Sequence, residues 1–409
     1  MVIQADRRSW IERLAASQED PIDSAPRPDR QQEVRDALSA REPRRITNER
    51  LTPRLPDPFI GFNEIKAEWV GLKSWTYRVA IARPSLPSST SRAVLAFDGL
   101  DTFATVTLGG KTILESDNMF LPHRVDITDF LHGDENQSES KSLDLEIAFE
   151  SAFLKAREIK AQHPEHKFVA FNGDTARLAV RKAQYHWGWD WGPLLVCTGI
   201  WKPVRLEIYS VAVAELRADV TISDDYKSAT IDANVDVEGH QTHRHHGLRA
   251  RLALMLGDKT IDTVDAPISV EGSASGQLHV SDPELWMPHG YGAQTLYTVT
   301  ASILTGDGEN SLHDGSKRIG LRKVELVQQP DSHGKSFYFR INGVDIFCGG
   351  SCWIPADSFL TNVTPSRYRA WLELMVPANQ KMIRYVFVPG KAGQTVAAAA
   401  ATAAARNRP

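Results

Sequence analysis

Residues Ala183 to Pro193 read AQYHWGWDWGP, with Trp187, Trp189 and Trp191 at alternate positions, Gly188 and Gly192 among them, and one carboxylate, Asp190. Such a set can grip a sugar. An indole face stacks on the C–H face of a pyranose, glycine lets the ring approach the backbone, and a carboxylate accepts hydrogen bonds from hydroxyls. The competing reading is a strand whose period of two turns all three indoles toward a core. Interleaved glycines weaken a strand interior, and Asp190 would need a partner if buried, so the binding reading is the stronger of the two.

The elements that must position this segment are strands. Trp75, Tyr77, Val79 and Ile81 alternate with smaller or polar neighbours, as do Leu143, Leu145, Ile147 and Phe149. ATVTLGGKTIL predicts a hairpin with Gly109 and Gly110 in its turn. Many short strands up to Tyr209 predict an antiparallel sandwich or jelly roll, interrupted by an insert, Ser151 to Val180, with a helical stretch marked by Phe153, Leu154 and Ile159. From Ser210 to Val327 a second set alternates (Ile231, Ala233, Val235, Val237; Ala250, Leu252, Leu254, Leu256; Tyr297, Val299, Ala301, Ile303), which suits an immunoglobulin-like sandwich. Beyond Gln328, FYFRINGVDIF reads as a hairpin around Asn342–Gly343. A helix follows, with Thr364 as N-cap, Pro365 in its first turn and Tyr368, Trp371, Leu372 and Met375 on one face; QKMIR is then a short strand. Strand, loop, helix, strand is the unit that opens a parallel barrel.

The chain has 409 residues, enough for two or three domains, and 47 basic against 51 acidic residues give a net charge of −4. No basic block proposes a nucleic-acid partner, and no apolar run approaches the ~20 residues of a membrane span. The charged start MVIQADRRSWIERL lacks a secretory core, and Cys197, Cys348 and Cys352 form neither a disulfide framework nor a closed zinc site; a cytoplasmic location is the expectation. The sequence calls for no metal and no cofactor.

Seven segments together resemble one family, the β-mannosidases of glycoside hydrolase family 2, particularly the intracellular fungal type. They are DPFIGFNE (Asp57 to Glu64), EWVGLKSWTYR (Glu68 to Arg78), FDGLDTFATV (Phe97 to Val106), DNMFLPHRVD (Asp117 to Asp126), RLAVRKAQYHWGWDWGP (Arg177 to Pro193), LWMPHGYGAQTLY (Leu285 to Tyr297) and KSFYFRINGVDIFCGGSCWIPADSF (Lys335 to Phe359). The resemblance implies a multidomain, mainly β protein: a jelly-roll sugar-binding domain over 56–209, an immunoglobulin-like sandwich over 210–328, and the incomplete start of a (β/α)8 barrel over 329–384. Residues 1–55, read as irregular, and the tail 385–409 depart from the family. It also implies retaining hydrolysis of terminal non-reducing β-D-mannose from oligosaccharides by two glutamates about 5–5.5 Å apart. In the family both lie on later barrel strands, so no catalytic residue is assigned here. The residues from Gln329 onward are too few to close a barrel of about 250 residues, and the chain as written is expected to be inactive.

Carried over residue by residue, the resemblance makes Asp190 the acceptor of hydroxyl hydrogen bonds remote from the scissile bond, with Trp189 as a wall and Trp191 beside it. Trp353 and Asp357 follow the first barrel strand, where Trp353 could floor the pocket and Asp357 orient it, against a core role for the tryptophan. A homodimer is a possible assembly of the intact family. His240, His243, His245 and His246 read as a solvated loop, as do His163 and His166 around Pro164. The competing function is a non-catalytic, lectin-like mannoside-binding module on the jelly roll. A chain that associates with a full-length homologue is a third reading.

Overall fold

The computed structural model describes residues 2–4, 56–132, 142–170, 173–241, 247–305 and 311–385, so most of the N-terminal segment and the tail from 386 lie outside the described residues. Two compact units emerge. The first holds the described residues through Leu86, then Ala93–Ile208 and Ala356–Val363; the second holds Pro87–Arg92, Tyr209–Pro355 and the described residues from Thr364.

In the first unit the alternating residues form two four-stranded antiparallel sheets. One runs Trp75–Ala82, Ser142–Phe149, Ala104–Leu108, Lys111–Ser116; the other runs Val2–Gln4, Val204–Tyr209, Arg92–Phe97, His123–Asp126. Register sets Tyr77 opposite Ile147 and Val79 opposite Leu145, so the alternate residues share one face. That face builds a core of Leu95, Phe97, Val106, Leu108, Leu145, Ile147 and Phe149. Phe149 meets the Tyr77 ring edge-on, centroids 5.7 Å apart at 84°. Gly109 and Gly110 turn the hairpin with φ of 56° and 82°, values that an L side chain rarely adopts. The expectation of an irregular N-terminus needs one correction. Val2–Gln4 pairs with Val204–Tyr209, Ile3 opposite Leu206, because a sheet edge offers free N–H and C=O groups to any extended segment whatever its composition.

The insert forms the helix Ala152–Gln162, capped by Ser151, whose hydroxyl accepts from the Leu154 N–H at 3.1 Å. Ala156 of this helix, with Ala176 and Val180, shares a small core with Trp187 and Val196, so the insert seats the base of the tryptophan segment.

The second unit contains a sandwich of three strands (Ala212–Ile222, Ser228–Glu238, Ser273–Ser281) and four (Lys259–Pro267, Arg249–Leu256, Tyr297–Leu304, Ser311–Ile319). Ile231, Val235, Leu252, Leu254, Leu278, Val299 and Ile303 have no exposed surface, an immunoglobulin-like core without a disulfide. Val324–Val327, Tyr338–Ile341 and Val344–Ile346 then form a separate antiparallel sheet. Gly350–Trp353 pairs in parallel with Met382–Tyr385, with the helix Pro365–Glu373 between them in sequence. Thr364 caps that helix by accepting from the Arg367 N–H at 3.3 Å. The helix stops at Glu373, so Met375 falls beyond it; Tyr368 and Leu372 are buried, whereas Trp371 is 50% exposed. Among the described residues no helix is long and apolar enough to cross a membrane.

The parallel pair depends on one missing side chain. A Cβ at Gly350 would sit 1.8 Å from the Met382 carbonyl oxygen, which is backbone and cannot swing away. Gly350→Ala is therefore expected to separate these strands. Limited proteolysis should cut faster between Gly350 and Arg384, while the thermal unfolding of the first unit stays unchanged.

Candidate sugar-binding site

Strand pairing splits the three tryptophans into different roles. Trp187–Trp189 and Gly192–Leu194 form a two-stranded hairpin, Gly192 opposite Trp189 and Leu194 opposite Trp187, leaving Asp190 and Trp191 as its turn. Trp187 is 2% exposed and belongs to the core, Trp189 and Trp191 are half-buried, and Asp190 is exposed at the tip. The period of two therefore ends at Trp189, because the chain reverses before Trp191 can share that face. The tip is held by rings. Trp189 and Trp191 lie 6.3 Å apart at 33°, and Tyr185 packs on Trp191 at 6.0 Å. The guanidinium of Arg177 sits over the Trp189 ring at 5.6 Å and donates to Gln184 Oε1 at 2.7 Å. An exposed carboxylate between two partly open indoles can accept hydroxyl hydrogen bonds while an apolar sugar face lies against a ring.

Beneath the hairpin lies a buried polar cluster. Lys182 Nζ donates to Asp101 Oδ2 and, at 2.6 Å, to the Cys197 carbonyl; the Lys182 side chain has 0% and that of Asp101 3% of its surface exposed. Thr102 Oγ1 donates to the other Asp101 oxygen. His186, 1% exposed, has the Ser358 backbone beside its ring, and Asp101 Oδ2 stands 3.9 Å from its Nδ1. Burial, and then the Lys182 charge, hold the His186 pKa well below the ordinary histidine range, so the ring is neutral at pH 7. Burial pushes the Cys197 thiol up to about 12, with Lys182 opposing and Asp101 and Asp357 adding. Burial also raises the Tyr77 phenol, helped by Asp101 and Cys197. Lys182, Asp101, His186 and Arg177 are not among the residues whose types and spacing point to the sugar site. Their signal in the sequence is a run of cations beside the tryptophan segment, Arg177, Arg181 and Lys182 in RLAVRKAQYHW, and a second carboxylate, Asp101, in FDGLDTFATV.

The two remaining candidates part company. Asp357 belongs to the first unit with the hairpin. Its neighbour Ser358 accepts from the Cys197 thiol at 3.9 Å, and Leu360 packs near Ala183, Tyr185 and Trp191. Asp357 also has local work: Oδ1 accepts from the Phe359 N–H at 2.8 Å and Oδ2 from Asn362 Nδ2 at 3.3 Å. Trp353 belongs to the second unit, stacked on Tyr368 at 5.8 Å and edge-on to Trp371 at 6.3 Å. His240 aims its ring nitrogens at the Val237 and Val270 carbonyls, at 2.9 and 3.0 Å, while His243, His245 and His246 lie outside the described residues. His163 ends the insert helix and pairs with Glu165 at 3.1 Å; His166 packs on Phe168. Among the described residues no group of three or more His, Cys, Asp or Glu could hold a metal ion.

A family model described as the glycosyl hydrolase 2 galactose-binding domain-like domain matches residues 30–202, and a second, described as glycosyl hydrolases family 2, matches 211–322. The chain belongs to glycoside hydrolase family 2. Its first match begins at residue 30, upstream of the position 56 at which the motifs begin. Among family 2 relatives, β-mannosidase B of Aspergillus clavatus is 51% identical over 331 residues and that of Emericella nidulans 52% over 334, each alignment covering 81% of this chain and 38% of the relative. The chain thus spans 38% of the length of these curated relatives. The solved β-D-mannosidase of Dictyoglomus thermophilum superposes with a TM-score of 0.67 and 32% identity, over 78% of this chain and 38% of its own. A β-glucuronidase of Parabacteroides merdae, at 15% identity and TM-score 0.59 over 80% of this chain and 37% of its own, shares the fold.

The buried histidine of this family 2 chain gives a pH dependence of definite sign. Unfolded, His186 titrates near about 6.5; folded, it stays neutral well below that, so the unfolded chain binds the extra proton. Its contribution is complete above about pH 6.5 and declines as pH falls below that toward the folded-state pKa. In urea unfolding of the first unit, His186→Phe is expected to shrink the stability loss between pH 7 and about 5.5 by about 1 kcal/mol. Equal losses in the two proteins would contradict the buried neutral ring.

Proposed function

We propose that this chain serves a retaining β-mannosidase, which removes terminal non-reducing β-D-mannose from oligosaccharides, and that its first unit grips the mannose. The observation that carries this reading is the hairpin tip, where Asp190 is exposed between Trp189 and Trp191. Mannose as the sugar is supported by the identity shared with proteins named β-mannosidase B. Asp190 accepts hydrogen bonds from hydroxyls away from the anomeric carbon and fixes the ring against Trp189. That contribution is positional: it holds the anomeric carbon where an attacking carboxylate can reach it, and charge-assisted hydrogen bonds make the hold directional. The bond-breaking pair, an acid and a nucleophile about 5–5.5 Å apart, is assigned to no residue of this chain. The Gly350–Trp353 and Met382–Tyr385 pair with its helix supplies one βα unit of the eight a closed barrel needs. We take a reducing compartment, the cytosol, as its place of work, supported by three free cysteines.

A graft tests this reading. Residues 56–384 of this chain would replace the aligned region of the A. clavatus β-mannosidase B, which is 51% identical. The graft is expected to hydrolyse a chromogenic β-mannoside, and Asp190→Ala within it to lower kcat/KM by about a hundredfold. The 409-residue chain by itself is expected to give no turnover. An active graft indifferent to Asp190→Ala, or turnover by the 409 residues alone, would contradict the proposal.

A further inference from the structure

We propose that Lys182 is the positioning residue of the hairpin tip: its ammonium ties the entry and exit of the loop that carries Asp190 to the sandwich beneath. The inference rests on the mannose-gripping role of Asp190 only for its consequence, since the tie itself is a matter of geometry. The loop enters from Arg181, which bridges to Asn118 and whose carbonyl accepts from the Met119 N–H at 3.1 Å. It leaves through Gly199–Ile200, paired with Leu100–Asp101. Between these ends the two arms are joined by a short ladder, with Trp189 opposite Gly192 and Trp187 opposite Leu194. Lys182, with 0% side-chain exposure, stands at the entry and donates at once to Asp101 on the neighbouring strand and to the Cys197 carbonyl at the exit. One cation thereby closes the loop onto the sheet, and leaving either partner alone would strand a buried charge. The ends of the hairpin are fixed by a group that touches no sugar, and the tip inherits that fixed position through Trp187 and the rings above it.

A merely structural account holds that Lys182 is there because Asp101 is buried and must be neutralised. The two accounts separate in hydrogen exchange on the 409-residue chain, comparing wild type, Lys182→Met and the double variant Asp101→Asn/Lys182→Met. The tie predicts that Lys182→Met speeds exchange across Trp187–Leu194 by about tenfold or more, with Ser142–Phe149 and the second sandwich within about twofold of wild type. In the double variant, which has no stranded charge, overall stability recovers but the hairpin stays fast, because nothing then bridges Asp101 and the Cys197 carbonyl. Hairpin protection unchanged in Lys182→Met, a loss spread evenly over the first sandwich, or protection restored in the double variant would each overturn the proposal. If Lys182→Met does not fold, the double variant alone decides between the accounts. Exchange is read without sugar, so failure of the mannose reading and failure of the tie remain distinguishable.

Discussion

A lysine ammonium with no exposed surface, held by a carboxylate that has almost none, is the constraint around which the first unit is arranged. Taking two such charges out of water costs several kcal/mol each, a cost offset only where geometry is good and the remaining donors and acceptors are satisfied. Here Lys182 meets Asp101 and the Cys197 carbonyl, and Thr102 occupies the second Asp101 oxygen. The neutral His186 ring completes the cluster without adding a second positive charge beside Lys182. Around this point the strands Leu100–Asp101 and Gly199–Ile200 pair, and the loop between residues 182 and 197 rises as the tryptophan hairpin. An unmatched ion here would undo the site before it undid the sandwich, since the bulk of the core lies elsewhere, among Phe97, Val106, Leu145 and Phe149.

The hairpin divides its aromatic residues by depth. Trp187 gives its whole side chain to the core shared with the insert helix, Trp189 rests on Arg177, and Trp191 leans on Tyr185. Burial of the first anchors the arm, and the other two keep part of their surface exposed on either side of Asp190. The dense cluster therefore serves packing at its base and recognition at its tip, and the two explanations of its composition apply to different residues. The seven strands of the second sandwich bury their own alternating residues and carry the chain on to the parallel unit.

The sandwiches were legible because period-two alternation is a direct record of burial: Leu143, Leu145, Ile147 and Phe149, and likewise Ile231, Ala233, Val235 and Val237, are all buried. The parallel unit was legible too, through the Thr364–Pro365 cap signal and the apolar helix face. Other features depend on contacts distant in sequence. No local pattern says that Lys182 meets Asp101, or that Ala356–Val363 groups with the first unit while Trp353 groups with the second. Nor does spacing reveal that the chain reverses at Asp190–Trp191, since alternation reads the same in a straight strand as in a hairpin arm up to the turn. The Val2–Gln4 strand was hidden for a related reason, its partner being an edge formed by residues far along the chain.

The central claim is that the hairpin tip meets the sugar through Asp190, and a crystal structure of the family 2 graft bound to mannose tests it most directly. The account predicts the Asp190 carboxylate within hydrogen-bond distance of hydroxyls remote from the anomeric carbon, with the sugar ring against Trp189. A mannose bound in the pocket with Asp190 turned to solvent and no indole of the hairpin beside it would contradict the account.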